Sequence, residues 1–359
     1  MNEKKHLIIP VFLCFFTLIF LASCGSPEQD NSDKTTFKYI TKYINKSDQP
    51  WLPWVEPEGI ANWGASCYFN GMMQMLMASK VFVSGILSQS KEQVQKLLPD
   101  ERTQINAIKN FFAARVRSDS SAEKLKAAAG PIIDSFPDFR CNIQSDAEEL
   151  GRQIMAAAQV PSLEIKIITH IFKDNLKVKE LTHVDKEFLP QLDLPNKDSD
   201  LQTIFNNFGK VEEIRGDNQI DITVEGKKTK SDYLQRQFFI SKLPKEIFFH
   251  LKRFINISYT KREKNSTSVL LPDDENIDLK NIVTPEIMAA DESVLYKLKA
   301  ITVHSGSLDG GHYVAYVRYD SQWYYCNDSS CTKITYDIIK NDDNLRKGSY
   351  IISLERVVK

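Results

Sequence analysis

One stretch, Gly59-Ile-Ala-Asn-Trp-Gly-Ala-Ser-Cys67-Tyr-Phe-Asn-Gly-Met-Met-Gln-Met-Leu76, limits what the chain can fold into more than any other. Gly59, Gly64 and the small Ala65 and Ser66 bend the backbone ahead of Cys67. Behind it Phe69, Met72, Met73, Leu76 and Met77 recur at helical spacing. The pattern predicts a turn, then Cys67, then an amphipathic helix, with the thiol at or near the helix N-terminus. Unpaired backbone N–H groups and the helix dipole at such a place favour a thiolate. On these residues alone two readings stay open: a nucleophile, or a core cysteine at a helix start.

The rest of the chain narrows the choice. Its 359 residues can hold one large domain or two ordinary ones. With 42% hydrophobic and 26% charged residues, the chain has the make-up of a soluble globular protein. A net charge of -1 gives no electrostatic case for nucleic acid or for an anionic membrane surface. The six cysteines (Cys14, Cys24, Cys67, Cys141, Cys326 and Cys331) include no C-x-x-C pair, and the histidines are scattered. Neither a metal cluster nor a disulfide framework is expected, and no cofactor is called for. A single pairing such as Cys326 with Cys331 stays open.

The N-terminus reads as a targeting segment. Lys4 and Lys5 precede an almost unbroken apolar run from Leu7 to Ala22, followed by Leu21-Ala22-Ser23-Cys24-Gly25. Small residues directly before a cysteine resemble the lipobox of bacterial lipoproteins, which implies cleavage ahead of Cys24 and a lipid on Cys24. The expected layout is a signal peptide over residues 1–23, a polar tether over 24–57 and a folded catalytic part over 58–359. The implied location is a bacterial cell envelope, surface-exposed or released, with the lipid as the membrane contact. The alternative is an uncleaved anchor, although the run is short for a spanning helix.

Beyond the Cys67 stretch, helical periodicity marks Lys91 to Leu98 and Thr103 to Arg117. Ala122 to Phe136 adds a helix that Gly130-Pro131 is expected to break, and Ala147 to Met155 another with Asp146, Glu148 and Glu149 crowding its start. Cys141 reads as packing. From about residue 162 to 243 short β-like runs alternate with charged stretches, which predicts an extended subdomain. Lys245 to Phe254 reads as a buried strand, with His250 inside it as a satisfied structural histidine. His170 and His183 have no partners in sequence. The last hundred residues predict an antiparallel sheet over Tyr296 to His304, His312 to Tyr319, Gln322 to Cys326, Lys333 to Tyr336 and Tyr350 to Val357. A glycine-rich turn with Gly310 and Gly311 delivers His312 at a strand start. His312 is therefore the best general-base candidate, with Asn327 and Asp328 placed to orient it from the next strand. Cys67, His312 and Asn327 also follow the Cys, His, Asn/Asp order of papain-like sites. The bland reading of His312, a histidine in a polar turn, stays open at this point.

Four motifs carry a resemblance. The Cys67 stretch is similar to the cysteine box of the ubiquitin-specific protease family. The segment from Tyr296 through Gly310-Gly311-His312-Tyr313 to Trp323-Tyr-Tyr-Cys-Asn327-Asp328 resembles its histidine box. Gln144-Ser-Asp146-Ala-Glu-Glu149-Leu150 and Leu243-Pro244 through His250-Leu-Lys-Arg-Phe254 resemble two further signatures, in family order. The resemblance implies an α+β, papain-like fold with a helical thumb, an antiparallel-sheet palm and extended β fingers over about 162–243. It implies a deubiquitinase: Cys67 as nucleophile, His312 as base and then acid, Asn327 as orienting group assisted by Asp328, and Asn62 as oxyanion stabiliser. Gln144, Asp146, Glu149, Gly310, Gly311 and Tyr313 would bind the tail of ubiquitin, with the acidic pair facing its arginines and the glycines admitting its diglycine end.

Three departures from the family pattern stand out. The fingers lack the paired C-x-x-C motifs that bind zinc in many members, Gly71 stands in place of a serine, and Asn327 replaces the commoner aspartate. The partner implied is ubiquitin or ubiquitinated protein of a host cell. A peptidase for a ubiquitin-like modifier, and a weakly catalytic ubiquitin-binding module, are the alternatives.

Overall fold

A computed structural model describes residues 56–115, 120–140, 142–216, 219–256, 262–290, 292–307 and 310–357. The expected signal peptide, Cys24, nearly all of the expected tether, Cys141 and the middle of the glycine-rich turn lie outside the described residues.

The Cys67–Ala78 helix is the axis of the thumb, and all of its residues are buried. It is therefore a core helix covered all round rather than a one-faced amphipathic one, in keeping with its nearly continuous apolar sequence. The exceptions, Asn70 and Gln74, stack one turn apart. Their amides donate to the carbonyls of Ile60 (3.0 Å) and Glu58 (2.8 Å), which lays the preceding segment along the helix. Ser79 ends this helix and caps the next, Lys80–Ser88, by accepting from the Phe82 N–H. Helices Lys91–Gln95, Pro99–Arg115, Ala122–Asp134 and Ala147–Ala157 complete the thumb. The second of these begins at Pro99 rather than Thr103, because proline suits a first helical position, where the missing N–H has no partner to lose. Gly130-Pro131 does not break its helix. Pro131 forfeits a single backbone hydrogen bond, to the Ala127 carbonyl, and Ile132 and Ile133 continue the buried stripe.

The palm is an eight-stranded sheet among the described residues, in the order Ser330–Ile334, Gln322–Asn327, Gly311–Tyr319, Leu295–Gly306, Ser349–Arg356, Glu246–Lys252 and Gln191–Asp193, with Asn276–Asp278 also paired to the fourth. Strand alternation divides its side chains between two cores. Tyr313, Ala315, Val317, Cys326 and Ile351 pack with the thumb helices, while Val314, Tyr316, Trp323, Ile352 and Leu354 pack on the opposite face. The expected Lys333–Tyr336 strand lies earlier, at Ser330–Ile334, and Tyr336 instead opens a short helix to Lys340.

The fingers form a four-stranded sheet built on a long hairpin, Leu163–Lys173 with Leu176–Glu187, paired to Tyr233–Ile240 and Glu212–Ile214. The inner strand alternates buried and half-buried residues, whereas the outer is exposed along nearly its whole length. One helix, Leu201–Phe208, was hidden from the strand-like reading of this region. Asp200 caps it, and Leu201, Ile204 and Phe205 anchor it to the core. The architecture is α+β, with the thumb, palm and fingers that the resemblance implies.

Candidate active site

Cys67 is the first residue of its helix and only 3% exposed. Ser66 stands at the N-cap but gives no side-chain cap. Its hydroxyl instead accepts from the Trp63 N–H (3.1 Å) and donates to Asn62 Oδ1 (3.2 Å). The first-turn amides are thus left without the usual serine oxygen, and the positive end of the helix faces the sulfur. The sulfur lies 4.0 Å from the carbonyl of Gly311, the residue before His312.

His312 and Asn327 come from neighbouring antiparallel strands. The pairing of Ala315 with Cys326 places His312 and Asn327 on the same side of the sheet. His312 Nε2–H donates to Asn327 Oδ1 at 2.7 Å, and Asn327 Nδ2 donates to the Tyr325 hydroxyl at 3.3 Å. The second bond fixes which end of the carboxamide faces the imidazole, leaving Nδ1 for the thiol. The Cys67 hydrogen bond is the largest influence holding His312 in its charged form, up to about pH 9. Burial opposes it, and the Asn327 bond and the Asp328 charge add to it.

Asp328 does more than assist the imidazole, from which it stands 4.0 Å away. Its carboxylate accepts from Asn62 Nδ2 (2.9 Å) and Asn70 Nδ2 (2.7 Å), and its carbonyl from the Ile60 N–H (2.7 Å). Asn62 Oδ1 in turn accepts from the Gly64 and Ser66 amides. Asn62 is therefore held at both ends, with one amide hydrogen on Asp328 and the other left over. Gly59 permits this docking: a Cβ there would lie 2.1 Å from the Ser329 carbonyl carbon.

The expected tail-binding residues divide. Gln144 is exposed and spans the groove, its carboxamide accepting from the Gly311 N–H and donating to the Gly311 carbonyl, both at 2.9 Å. Glu149 is exposed on the first turn of its helix, its carboxyl pushed up by burial of its surroundings and then by the Asp146 charge. Asp146 is the N-cap of that helix, accepting from the Glu148 N–H and from the Tyr350 hydroxyl (2.7 Å), and burial raises its carboxyl. Gly311 is required by the protein itself, because a Cβ there would fall 2.2 Å from His304 Nε2. Gly310 has more room, with Gln144 Oε1 its nearest neighbour. Tyr313 corrects the expectation of a ligand contact. Alternation turns it away from His312, and it is 7% exposed, packed against His304 and Tyr350.

Several supporting residues escaped the sequence reading. Asn70 and Gln74 carried a legible signal, as paired polar residues in an apolar helix. His304 carried none: it lies under Gly311, and burial keeps it neutral down to about 4 while Lys264 Nζ donates to its Nδ1 (3.0 Å) and to its carbonyl (2.8 Å). His250 is buried as expected, and burial lowers it to about 3, but its ring nitrogens lack partners; it is held edge-on to Tyr350 instead. His170 and His183 each face a carboxylate in the fingers, Glu180 and Asp185.

Known proteins resemble this chain in sequence and in fold. Human Ubiquitin carboxyl-terminal hydrolase 3 is 34% identical over 133 residues, which cover 37% of this chain and 25% of that protein. Ubiquitin carboxyl-terminal hydrolase 9 of Arabidopsis thaliana is 37% identical over 118 residues, 32% of this chain and 12% of that protein. The matched stretch thus spans a quarter or less of the length of these curated relatives. Among solved structures, the SAGA Ubp8/Sgf11/Sus1/Sgf73 DUB module bound to ubiquitin aldehyde shares the fold, with TM-score 0.68 and 18% identity over 92% of this chain and 77% of that one. The Ubp8-Sgf11-Sgf73-Sus1 SAGA DUB module gives TM-score 0.66 at 18% identity over 92% of this chain and 76% of that one. The model of one family, Ubiquitin carboxyl-terminal hydrolase, matches residues 58–352 and so takes in the cysteine, glutamine, Leu-Lys-Arg-Phe and histidine stretches together; the chain belongs to that family.

Proposed function

We propose that this chain is a deubiquitinase that hydrolyses the amide after the terminal glycine of ubiquitin through an acyl-enzyme on Cys67. The observation that carries the reading is the convergence of Cys67, His312 and Asn327 at the end of one helix and two adjacent strands. Family membership and the names of the curated relatives support the substrate class. Cys67 attacks the glycine carbonyl as thiolate. The developing oxyanion takes the free amide hydrogen of Asn62 and a first-turn N–H, donors that together act on charge formed only in the transition state. His312 then gives its proton to the leaving amine, and afterwards takes one from the water that releases the acyl group.

The finer reading is a lipoprotein: cleavage ahead of Cys24, lipid on that cysteine, a tether over 24–57 and a catalytic part over 58–359 that meets ubiquitin conjugates of a host cell. It rests on the basic start, the apolar run and the small residues flanking Cys24. Glu149, with Asp146 behind it, faces the arginines of the tail.

Fluorogenic amides of ubiquitin and of ubiquitin-like modifiers, offered to wild type and Cys67→Ala, test the activity. Cleavage of the ubiquitin amide by wild type alone is expected. Preference for another modifier would reassign the substrate, and binding without cleavage would make the chain a binding module. Fractionation with external protease, and labelling with a fatty-acid analogue, test the anchor; a soluble, unlabelled chain with residues 1–23 retained would remove it.

A further inference from the structure

The hairpin that presents Asn327 and Asp328 is tied by a covalent bond at its tip. Cys326 and Cys331 are directly paired residues of the two strands, and their sulfurs are joined. The loop thus enclosed is Asn327-Asp328-Ser329-Ser330, and each of its first three residues is committed to the site. Asn327 accepts from His312, Asp328 holds Asn62 and Asn70, and Ser329 rests on Gly59 without room for a methyl group. Asp328 pays for its place with a left-handed backbone, φ 47°, a conformation that for a non-glycine residue requires support from its surroundings. Alternation sends the Cys326 side chain to the face opposite Asn327, into the thumb core, where it is 2% exposed. The bond therefore acts on the site through the backbone.

We propose that the Cys326–Cys331 disulfide is a positioning cross-link for Asn327 and Asp328, and that its reduction lowers turnover while Cys67 stays intact. This rests on the reading of Cys67, His312 and Asn327 as the catalytic set. The enzyme then answers to thiol–disulfide balance in two opposed ways: its nucleophile must be reduced and its hairpin oxidised. With a dithiol as reductant the exchange is balanced. A dithiol thiolate attacks the half-buried Cys331 sulfur and Cys326 departs as thiolate. The second dithiol sulfur then closes on the first, releasing Cys331, so that two electrons and two protons pass to the protein and the dithiol leaves as its cyclic disulfide.

The full chain is compared in two states, with the hairpin bond intact and after opening by dithiothreitol, alongside the double variant Cys326→Ser, Cys331→Ser. Peptide mass mapping assigns the state of each cysteine. Two activities are read: alkylation of Cys67 by iodoacetamide against pH, followed on its own peptide, and turnover of a ubiquitin amide per alkylatable Cys67. Opening the bond is expected to lower kcat about tenfold, as a misplacement of catalytic groups by a fraction of an ångström does. It should leave KM unchanged and move the rise of Cys67 alkylation with pH, which depends on the charged imidazole beside the sulfur, to higher pH than in the oxidised form. The double variant should match the reduced wild type and ignore dithiothreitol. Equal kcat and equal alkylation profiles in the two wild-type states, with the opened bond verified, would overturn the proposal, as would free thiols at both positions in non-reducing digests. If the variant misfolds, the wild-type pair, checked by near-ultraviolet circular dichroism, still decides. If no ubiquitin amide is cleaved in either state, the proposed function fails, and the alkylation profile still tests the cross-link.

Discussion

The thumb–palm junction and the fingers of this protein are held together by different means. Around Cys67, four polar side chains far apart in sequence (Asn62, Asn70, Asn327 and Asp328) are fixed by hydrogen bonds to one another, to His312 and to backbone. In the fingers the frame is backbone pairing, with Leu163, Ile165 and Ile167 joined to the palm core at the base, a small cluster of Ile171, Ile222 and Leu234 further out, and no cysteine between residues 162 and 243. Partly buried polar networks fix position and tolerate little change, because each lost partner strands another group. A ribbon with one exposed strand has many nearly equivalent arrangements open to it and few contacts to enforce one.

The largest effect expected from this contrast falls on the network. Asn62→Ala should lower kcat by about 10²–10³-fold, the scale of one oxyanion donor, with folding retained by circular dichroism; a loss in KM alone would move Asn62 out of the oxyanion site. Ile171→Ala tests the other side. It should destabilise the fingers by about 2–3 kcal/mol, the low end for such truncations because its cluster is small. Hydrogen exchange should rise in residues 163–187 while Cys67 alkylation is unchanged; a matching rise in the thumb would mean that the two regions unfold as one. Asn327→Ala probes pH. His312 holds its proton up to about 9, above the ordinary 6.5. The stability gained from the charged form is thus complete below about pH 6.5 and disappears as pH rises through about 9. Without Asn327 the upper limit should fall, read as an earlier alkaline loss of turnover; an unmoved limb would leave the Cys67 bond and the Asp328 charge as the support. The smallest change, Gly71→Ala, should stabilise the thumb by about 0.5–1 kcal/mol through helix propensity. The nearest atoms to a Cβ there, on Thr302 and Tyr313, stand at 3.4 Å, and a fall in thermal midpoint would show that they do not give way.

What the sequence disclosed follows the same division. The Cys67 helix and the palm strands were legible because their apolar patterns are long and regular, and His312 and Asn327 because motif order joined them. The Leu201–Phe208 helix was not, since it is short and set among charged residues that also suit a ribbon. The motif marks Asp328 as a neighbour of the imidazole, yet its chief contacts reach back to Asn62 and Asn70. No local pattern signals a bond between residues 266 positions apart. Tyr313 was misassigned because proximity in a motif does not reveal which face of a strand a side chain takes.

The double hydrogen bond between Gln144 and Gly311 makes the resting groove a latched one. On the proposed function, an incoming ubiquitin tail exchanges both contacts on its way to the sulfur, so the free energy of its first hydrogen bonds goes largely into exchange rather than into affinity. Capture then depends on grip elsewhere along the ligand, and short peptides carrying only the terminal residues should dwell too briefly to be cut.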